Sequence, residues 1–448
     1  MSMSDVVPWK IGVSTAPLPP MAPGIPWLGN ALEIKSDPVR YVVKQYRRYG
    51  PIFRIKMLGK PITVLAGREA LQFAATPEAT EILSLRESYG GLEVEVGPVI
   101  LSMEGEQHRH YRKLARPSHS RSQAAPHIAK LVEVVDQFID GLEVGQSVDM
   151  LPAIRRMIST QLGMMMLNRP PGAYFDDFVK FSTYMLYVYQ FQMWPKFMLR
   201  TAGFKKAKAR VLQMLEELVE YHRRVPPGSE RPHDALDEIM ETVDAVGQPY
   251  GHTTLLATAM GPYIAGMDTA SGTINFITYA LHKHTECLER LRQEVRQAYA
   301  QGIPSADVLK DLPTLNSAIF ETMRMYPLVP FLPRTAKSTF EFGGYRVDAG
   351  TSMFIATTAT HFFPEYYPEP DTFNIDRDRG PAGTFNPYGF GAHSCLGAGM
   401  GELLIQIMVS RLIQRVDFQL DPPDFKATME AIPVPNPGKY RLKVLARN

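Results

Sequence analysis

One stretch of the chain, from about His252 to His284, has continuous helical texture. At 1.5 Å per residue, such a helix would be roughly 50 Å long, which is enough to cross an entire protein. The chain has 448 residues, more than a usual single domain. The helix is therefore expected to run through one unusually large core, or through a core that two lobes share, and either arrangement can bury a cofactor.

The rest of the chain is also mostly helical, with short β-rich segments towards both ends. Asp37 and Pro38 supply a cap and a first-turn proline for an early helix that Gly50 closes. From about residue 70 to residue 325 the texture is helical. Strand patterns occur in PIFRIKML and PITVLAG, which form a predicted hairpin, and later in STFEFGGYRVDAGTSMFIATTA and PVPNPGKYRLKVLA. The prediction is a mainly α fold with small β-sheets.

Charge and cysteine content narrow the class of protein. Lys and Arg total 48 against 46 Asp and Glu, so electrostatics give no reason to expect nucleic acid or an anionic membrane as a partner. The amino-terminal residues contain neither a membrane-length apolar run nor a signal peptide. Only Cys287 and Cys395 are present, which is typical of a reducing compartment. We expect a soluble, cytoplasmic protein that acts on small molecules.

Of the two cysteines, Cys395 is the one whose neighbouring sequence suggests a chemical role. It lies in FNPYGFGAHSCLGAGMGELLIQIMVSRLIQRV, where glycines predict an irregular loop and an amphipathic helix follows. A cysteine at the amino end of a helix meets free N–H groups and a dipole that favour the thiolate, which can bind a metal. A lone cysteine is more often a small buried apolar residue. The surrounding glycines favour the metal ligand here.

The segment GFGAHSCLG resembles the haem-binding loop of the cytochrome P-450 family. That loop has an aromatic residue, then a glycine, a basic residue two before the cysteine and a glycine two after it; Gly391, His393, Cys395 and Gly397 match. Tyr388 stands where the family usually has phenylalanine. A phenol that donates a hydrogen bond near the sulfur would shift the redox potential of the iron.

The segment ETMR places Glu321 and Arg324 on one face of a predicted helix. Taken alone, such a pair is usually solvated and contributes only ~0.3–0.5 kcal/mol. The family carries the same Glu-x-x-Arg before its cysteine and locks it with a later arginine. The resemblance therefore implies that Glu321, Arg324 and Arg377 form a structural triad that braces the haem loop.

The segment GPYIAGMDTASG in the long helix resembles the family's oxygen-binding helix, and Ala265, Gly266, Asp268 and Thr269 match. The resemblance implies that Gly266 lets O2 lie against the helix, that a bulged turn exposes a carbonyl, and that Thr269 and Asp268 deliver protons from solvent. An ordinary Asp-Thr pair in a helix would instead be solvated, with the threonine bonded one turn back. Pro262 is a departure that is expected to kink the helix.

The basic segment EGEQHRHYRKLARPSHSR would by itself be a solvated helix face. Within the family, residues at the places of His108 and Arg112, one turn apart, hold the haem propionates by charge-assisted hydrogen bonds. Arg334 and His393 match two further propionate contacts. The remaining basic residues would face outward and steer an acidic electron donor; these are Arg109, Lys113 and Arg116.

The resemblance covers most of the chain and implies a single cytochrome P-450 domain over residues 1–448, a triangular prism with haem between the long helix and the cysteine loop. We expect two lobes in this domain. The β-rich lobe would contain about residues 30–70, 335–360 and 415–448, and the α-rich lobe about 71–334 and 361–414.

The implied activity is that of a monomeric haem-thiolate monooxygenase that holds haem b and uses O2. Electrons from NAD(P)H would arrive through a separate ferredoxin or flavodoxin with its reductase, because no redox domain is recognisable in the chain. A peroxide-driven oxygenase and a non-catalytic haem sensor or carrier are the alternatives. Asp268 and Thr269 argue against both, since neither protein needs this acid–alcohol pair for proton delivery.

The residues expected to line the substrate pocket are all apolar: Gly261, Ile264, Ala265, Val329, Phe331 and Ile432. They predict hydroxylation or epoxidation of a terpenoid, steroid or fatty acid. Residues 181–199 are rich in Met, Tyr and Phe, which fits core packing, and the family places a mobile pocket lid in this region.

Overall fold

The computed structural model describes residues 7–190, 194–228, 230–427 and 435–448. Its contacts divide the chain into two compact units. The first unit contains Met1–Gly90 and Met323–Cys395, and the second contains Gly91–Thr322 and Leu396–Asn448. Two helices continue across a unit boundary, α5 (Arg86–Val96) and α16 (Pro313–Met325).

The first unit carries most of the strands. Its elements are β1 (Trp9–Ile11), α1 (Ala31–Ser36), α2 (Pro38–Tyr49), β2 (Ile52–Met57), β3 (Lys60–Leu65), α3 (Arg68–Ala74), α4 (Pro77–Ile82), β4 (Leu83–Ser84), β6 (Phe331–Ala336), β7 (Phe340–Phe342), β8 (Tyr345–Val347) and β9 (Ser352–Ala356).

A five-stranded sheet in the order β2-β3-β9-β6-β4 organises this unit, and β1-β7-β8 form a smaller sheet. The predicted hairpin is confirmed: β2 and β3 are antiparallel, with Ile52 opposite Leu65 and Met57 opposite Lys60. The predicted start of α2 is also confirmed, because the Asp37 carboxylate accepts the Arg40 N–H at 2.9 Å. Gly50 ends α2 with a φ of 82°.

The second unit is mainly helical. Its elements are α6 (Gly105–Ala115), α7 (Arg121–Ala124), α8 (Ile128–Asp140), β5 (Ser147–Asp149), α9 (Met150–Met166), α10 (Phe175–Met185), α11 (Ala202–Arg224), α12 (Ala235–Met240), α13 (His252–Lys283), α14 (Thr285–Ala298), α15 (Ala306–Lys310), α17 (Ala398–Arg415), β10 (Val416–Asp421) and β11 (Arg441–Arg447).

Helix α13 is the long helix predicted from the sequence. It packs against α9, α11, α12 and α17. Nearly every residue between positions 254 and 282 is buried, as expected for a helix with apolar residues on all sides. Pro262 lies inside it. The predicted bulged turn is wrong, because α13 is α-helical from its first to its last residue.

The expected grouping of residues 415–448 with the other β-rich segments is also wrong. Strands β10 and β11 pair with β5 inside the second unit, and Leu442 lies opposite Val148. The reason is that β5 has only three residues between two helices, so its sequence carries no alternating pattern that would reveal this partner.

A buried ionic cluster holds the loop between α11 and α12; it consists of His222, Arg231, Asp234 and Asp237. The Arg231 guanidinium binds both oxygens of Asp237, with Nη2 to Oδ1 at 2.7 Å. Asp234 caps α12 and accepts a hydrogen bond from His222 at 2.8 Å. Burial alone would raise the pKa of Asp237, but the hydrogen bonds from Arg231 outweigh burial and the pKa lies below its usual value. This cluster ties the loop to both helices.

The end of α10 is joined to α5 and α11. After α10 the chain forms a π-helical turn, Leu186–Gln190. Its Tyr189 donates a hydrogen bond to Glu95 at 2.9 Å, and the other oxygen of Glu95 pairs with Lys208 at 2.7 Å. The Tyr189 ring lies so close to Gly91 that a Cβ there would be 1.9 Å from the ring. One carboxylate on α5 therefore binds side chains from the π-helical turn and α11.

Candidate active site

Cys395 ends a tightly turned loop in the first unit. Its N–H donates to the Tyr388 carbonyl at 2.7 Å, and the side chain is exposed. The next helix, α17, begins three residues later at Ala398. Gly391 has a φ of 60°, and a Cβ there would lie 3.2 Å from Ala75 Cα. Only glycine suits this position, because both the backbone angle and the approach to Ala75 exclude a side chain.

The Tyr388 hydroxyl, which was expected to influence the sulfur, donates a hydrogen bond to the Met323 thioether at 3.8 Å. The contact ties the loop to the end of α16. It gives the phenol a partner within the first unit, and an effect of Tyr388 on the redox potential remains a prediction.

Arg334 is a buried cation next to this loop. It lies on β6 with 5% of its surface exposed, and its guanidinium donates to the carbonyl of Pro333 at 2.8 Å. No carboxylate among the described residues pairs with it. Burial lowers the pKa of Arg334 to about 10, so the group remains charged at neutral pH. Arg334 and His393 line the same small cavity, together with Phe390 and Ala392.

A buried guanidinium without an acidic partner is costly unless an anion compensates it. The cavity beside Arg334 and His393 therefore fits a group that carries a carboxylate, and a haem propionate is such a group. The exposed sulfur of Cys395, at the end of the same loop, fits a metal ligand. The donor set of the first unit thus suits haem.

Helix α6 of the second unit carries the other two predicted propionate contacts. His108 is 4% exposed, whereas Arg112 is only partly buried. Burial, followed by the charges of Arg112 and Arg109, lowers the pKa of His108 to about 4. His108 is therefore neutral at pH 7 in this structure. A bond from His108 to a propionate would be charge-assisted through the carboxylate, and this contact stays a prediction, as does that of Arg112.

The basic residues that were expected to face outward are exposed: Arg109, Lys113 and Arg116. Arg109 is partly neutralised, because it pairs with Glu106 at 2.9 Å. The positive charge on this face of α6 is therefore carried mainly by the exposed side chains of Lys113 and Arg116.

Helix α13 opens to solvent along one stripe. Between positions 259 and 282 the residues that are not buried lie at helical spacing on one side; they are Gly261, Ile264, Ala265, Gly266 and Thr269. We call these five residues the open stripe. Three of them were predicted to line the pocket and the other two to contact oxygen or deliver protons. Every other residue of this span is packed against protein.

Thr269 donates its hydroxyl to the Ala265 carbonyl at 2.7 Å, one turn back. This is the bond that an ordinary helical threonine makes. It leaves the lone pairs of the Thr269 oxygen available to accept a hydrogen bond from water or a ligand. Gly266 is explained by packing, because a Cβ there would lie 2.8 Å from Leu162 on α9. Its predicted role beside O2 stays a prediction.

Asp268 is largely buried, and its predicted role in delivering protons from solvent stays a prediction. Its side chain is 8% exposed and pairs with Arg155 of α9, Nε to Oδ1 at 2.8 Å. Burial raises the pKa of Asp268, while the charge of Arg155 opposes the rise.

The predicted brace is buried rather than solvated. Glu321 and Arg324 of α16 are both 0% exposed. Arg324 donates to the carbonyls of His361 and Pro370 at 2.9 and 2.8 Å. Arg377 donates to three carbonyls of the segment from Pro368 to Thr372. Both arginines therefore fix the chain that leads to the cysteine loop, and direct contact within the triad stays a prediction.

The remaining predicted pocket residues are less well defined. The Val329 carbonyl accepts a hydrogen bond from Thr357 at 2.7 Å. The Phe331 ring stacks on Phe354 at 5.0 Å and packs against a core cluster. This packing explains Phe331 without a substrate, so its place in a pocket stays a prediction. Ile432 lies outside the described residues.

Two residues of the site, Arg155 and His361, were not predicted from the sequence. Arg155 lies in the first half of α9 with no motif around it, and an arginine on a different helix from its aspartate gives no sequence signal. His361 lies in ATHFFPE, where a histidine before a proline-rich segment is usually a loop residue. Both are identified only by their contacts.

Comparison with known proteins agrees with this geometry. The family model for cytochrome P450 matches residues 19–444, and the chain belongs to this family. A putative cytochrome P450 120 of Synechocystis is 26% identical over 95% of both chains. A sterol 14alpha-demethylase of Mycolicibacterium vanbaalenii is 23% identical over 88% of this chain and 90% of its own.

Solved structures show the same fold. Retinoic acid bound cyanobacterial CYP120A1 superposes with a TM-score of 0.82 and 24% identity, covering 97% of this chain and 100% of its own. The cytochrome P450DA heme domain gives a TM-score of 0.83 at 17% identity, covering 97% and 99%. The expected mainly α fold with small sheets is confirmed.

Membership of the family defines the chemistry. The protein is a monooxygenase of the cytochrome P450 family, which uses haem b with a cysteine thiolate ligand, O2, and electrons derived from NAD(P)H. The predictions of enzyme class and cofactor are confirmed. Within the described part of the chain, no helix has the length and apolar character needed to cross a bilayer.

Proposed function

We propose that this enzyme inserts one atom of O2 into an apolar, terpenoid-like small molecule, with Cys395 as the thiolate ligand of the iron. The observation that carries the proposal is the open stripe of α13. It brings the apolar surface of Gly261, Ile264 and Ala265 onto the same helix face as the Thr269 hydroxyl. A substrate bound along this stripe would lie beside the group that positions a proton.

Each unit by itself contains candidate ligands for the haem. In the first unit, Cys395 would bind the iron, while Arg334 and His393 would hold a propionate. In the second unit, Arg112 would bind a propionate as a cation, and His108 would donate to it as a neutral ring. When bound, the haem supplies the oxidising chemistry by activating O2 at the iron, with the thiolate donating electron density.

The side chains of α13 would supply the protons. The Thr269 oxygen, its own hydrogen engaged by Ala265, accepts a hydrogen bond from a water and orients it. Asp268 is the nearest acid along the helix, and Arg155 holds it away from the stripe. Once released from Arg155, the Asp268 carboxylate could take up a proton from solvent and pass it to that water.

Two observations support the proposed substrate class: the uncharged surface of the stripe, and the compounds that similar proteins hydroxylate or bind. The stripe offers no charged group, which favours an apolar molecule. Relatives of similar identity include an abscisic acid 8'-hydroxylase of tomato, 25% identical over 90% of this chain, and the retinoic acid bound structure above. Both compounds are terpenoid acids. Hydroxylation of such a scaffold is the expected reaction.

A separate ferredoxin or flavodoxin is the proposed electron donor. Lys113 and Arg116 support this, because exposed positive charge on α6 would attract an acidic protein. The association should weaken as ionic strength rises, since exposed charges are screened. A monomer in the cytoplasm remains our expectation for the form in which the enzyme meets this donor.

The first experiment tests the iron ligand. The reduced, carbon monoxide-bound protein should show the red-shifted Soret band of thiolate ligation. Cys395→Ala should abolish that band, and the matched control Cys287→Ala, at the other cysteine, should retain it. Survival of the band in Cys395→Ala would disprove the assignment of the ligand.

The second experiment tests the reaction. Product formation from terpenoid acids, steroids and fatty acids is measured with a ferredoxin system and, separately, with peroxide. Turnover with the ferredoxin system alone is expected. Turnover only with peroxide would support the peroxide-driven alternative, and spectral shifts confined to sugars or polar peptides would contradict the substrate class.

A further inference from the structure

His361 is a fully buried histidine that none of the proposed catalytic steps uses. It lies in the first unit, in a short 3-10 turn (Ala359–Phe362), with 0% of its surface exposed. Its ring stacks on Phe385 at 5.1 Å between centroids. Because Phe385 directly precedes the cysteine loop, the surroundings of this ring bear on the position of Cys395.

Both ring nitrogens of His361 have partners. The backbone N–H of Asn386 donates to Nε2 at 3.1 Å, so Nε2 must carry the lone pair. The proton is then on Nδ1, which donates to the Arg324 carbonyl at 3.3 Å. A second proton on Nε2 would face the Asn386 N–H, donor against donor. The geometry therefore requires a neutral imidazole.

The two residues are joined by a second hydrogen bond, in which the Arg324 guanidinium donates to the His361 carbonyl at 2.9 Å. Asn386 in turn begins the loop: its carbonyl accepts the Gly389 N–H at 3.3 Å, and the Cys395 N–H closes on Tyr388. The contacts thus form one chain from α16 through His361 to the start of the loop that ends in the cysteine.

We propose that His361 is a positioning residue for the iron ligand, and that its neutral ring fixes the cysteine loop to α16. The inference rests on the proposed function only in taking Cys395 as that ligand. A proton on His361 would break the bond to Asn386 and release the beginning of the loop, so the loop is held only while the ring is neutral.

The charged groups around the ring favour the neutral form. On α16, the Arg324 guanidinium is close to the ring and Glu321 is also buried. From α2, Arg40 lies 4.0 Å over the ring of Phe362, next to His361 in sequence. Burial, followed by the charge of Arg324, lowers the pKa of His361 to about 3.

Two substitutions at this position separate the bonds from the packing. His361→Gln offers an amide oxygen to the Asn386 N–H and an amide N–H to the Arg324 carbonyl, and it does not titrate. His361→Phe keeps a ring against Phe385 but loses both hydrogen bonds. His282→Phe is the matched control, because His282 is also a buried histidine bonded to a carbonyl, but it lies on α13.

The first readout is hydrogen exchange of the peptide that contains Asn386, measured on the haem-loaded protein. His361→Phe should exchange this amide about tenfold faster, the equivalent of 1.4 kcal/mol, whereas His361→Gln and His282→Phe should match the wild type. Unchanged exchange in His361→Phe would overturn the proposal. This measurement does not depend on the identity of the iron ligand.

The second readout is the rate at which the reduced, carbon monoxide-bound enzyme loses its thiolate Soret band on acidification. After transfer to the same mildly acidic pH, His361→Phe should lose the band about tenfold faster than wild type, and His361→Gln should lose it more slowly than wild type. If His361→Phe and His282→Phe lost the band at equal rates, the effect would be general destabilisation by loss of a buried histidine, and the proposal would be refuted. Absence of the band in wild type would instead refute the ligand assignment, and hydrogen exchange would still decide the role of His361.

Discussion

Replacement of Arg155 by methionine tests the pair that holds Asp268. The two side chains are 18% and 8% exposed, and their charged atoms are 2.8 Å apart. Two unit charges about 4 Å apart attract each other by about 4 kcal/mol at the effective dielectric constant typical of protein sites. Loss of one partner leaves the other charge buried, so Arg155→Met should lower the free energy of unfolding by about 3–5 kcal/mol.

A double-mutant cycle isolates the pair. Asp268→Asn, Arg155→Met and the combined variant are unfolded in urea, and the combined variant should be more stable than the sum of the two losses by about 2 kcal/mol. The pKa of Asp268 should rise further in Arg155→Met. Since the folded carboxyl then binds a proton at higher pH than the unfolded one, acidification from pH 7 to about 5 should restore part of the stability of this variant.

The two losses would be additive to within about 0.5 kcal/mol if the pair did not interact, and that result would refute the reasoning. A functional readout accompanies the cycle. In Asp268→Asn, product formed per NAD(P)H consumed should fall, because the amide cannot release a proton to the water held by Thr269. Equal yield in wild type and Asp268→Asn would remove this residue from proton delivery.

Three further predictions concern other contacts. Burial lowers the pKa of His282 to about 4, so folding stability should fall by about 3 kcal/mol as pH drops from about 6.5 to 4, and urea unfolding of His282→Asn should show no such slope. Gly91→Ala should displace the Tyr189 ring and speed hydrogen exchange in α5. Gly90→Ala should do neither, because a Cβ at Gly90 meets no atom within 4 Å. Asp237→Asn should cost about 3–5 kcal/mol in urea unfolding, because the buried Arg231 would keep only the more distant Asp234 carboxylate, 3.8 Å away, and a loss below about 1 kcal/mol would contradict the burial argument.

Local patterns were sufficient to predict much of the fold. The cap at Asp37, the hairpin and the long helix all appear where propensity and periodicity placed them, because each is determined by residues close together in sequence. The partner of β11 was not predictable in this way. Strand pairing across nearly three hundred residues depends on tertiary packing, and the three residues of β5 carry too little pattern to show it.

For the candidate site, the sequence predicted which residues take part but not which residues they contact. The spacing around Cys395 indicated a ligand loop, and the family resemblance pointed to the residues that form the open stripe of α13. The ionisation states were not predictable. That His108 and His361 are neutral, and that Asp268 is paired with Arg155, follows from burial and from neighbours on other elements.

The open stripe has an evolutionary consequence. Gly261, Ile264 and Ala265 belong to a helix whose other residues in this span are packed on all sides. A mutation at these three places alters the local surface without creating a cavity or an overlap in the core, so it carries little penalty in stability. Related enzymes can therefore acquire new preferences at this helix by drift and selection at a few positions, while the remainder of the scaffold is retained.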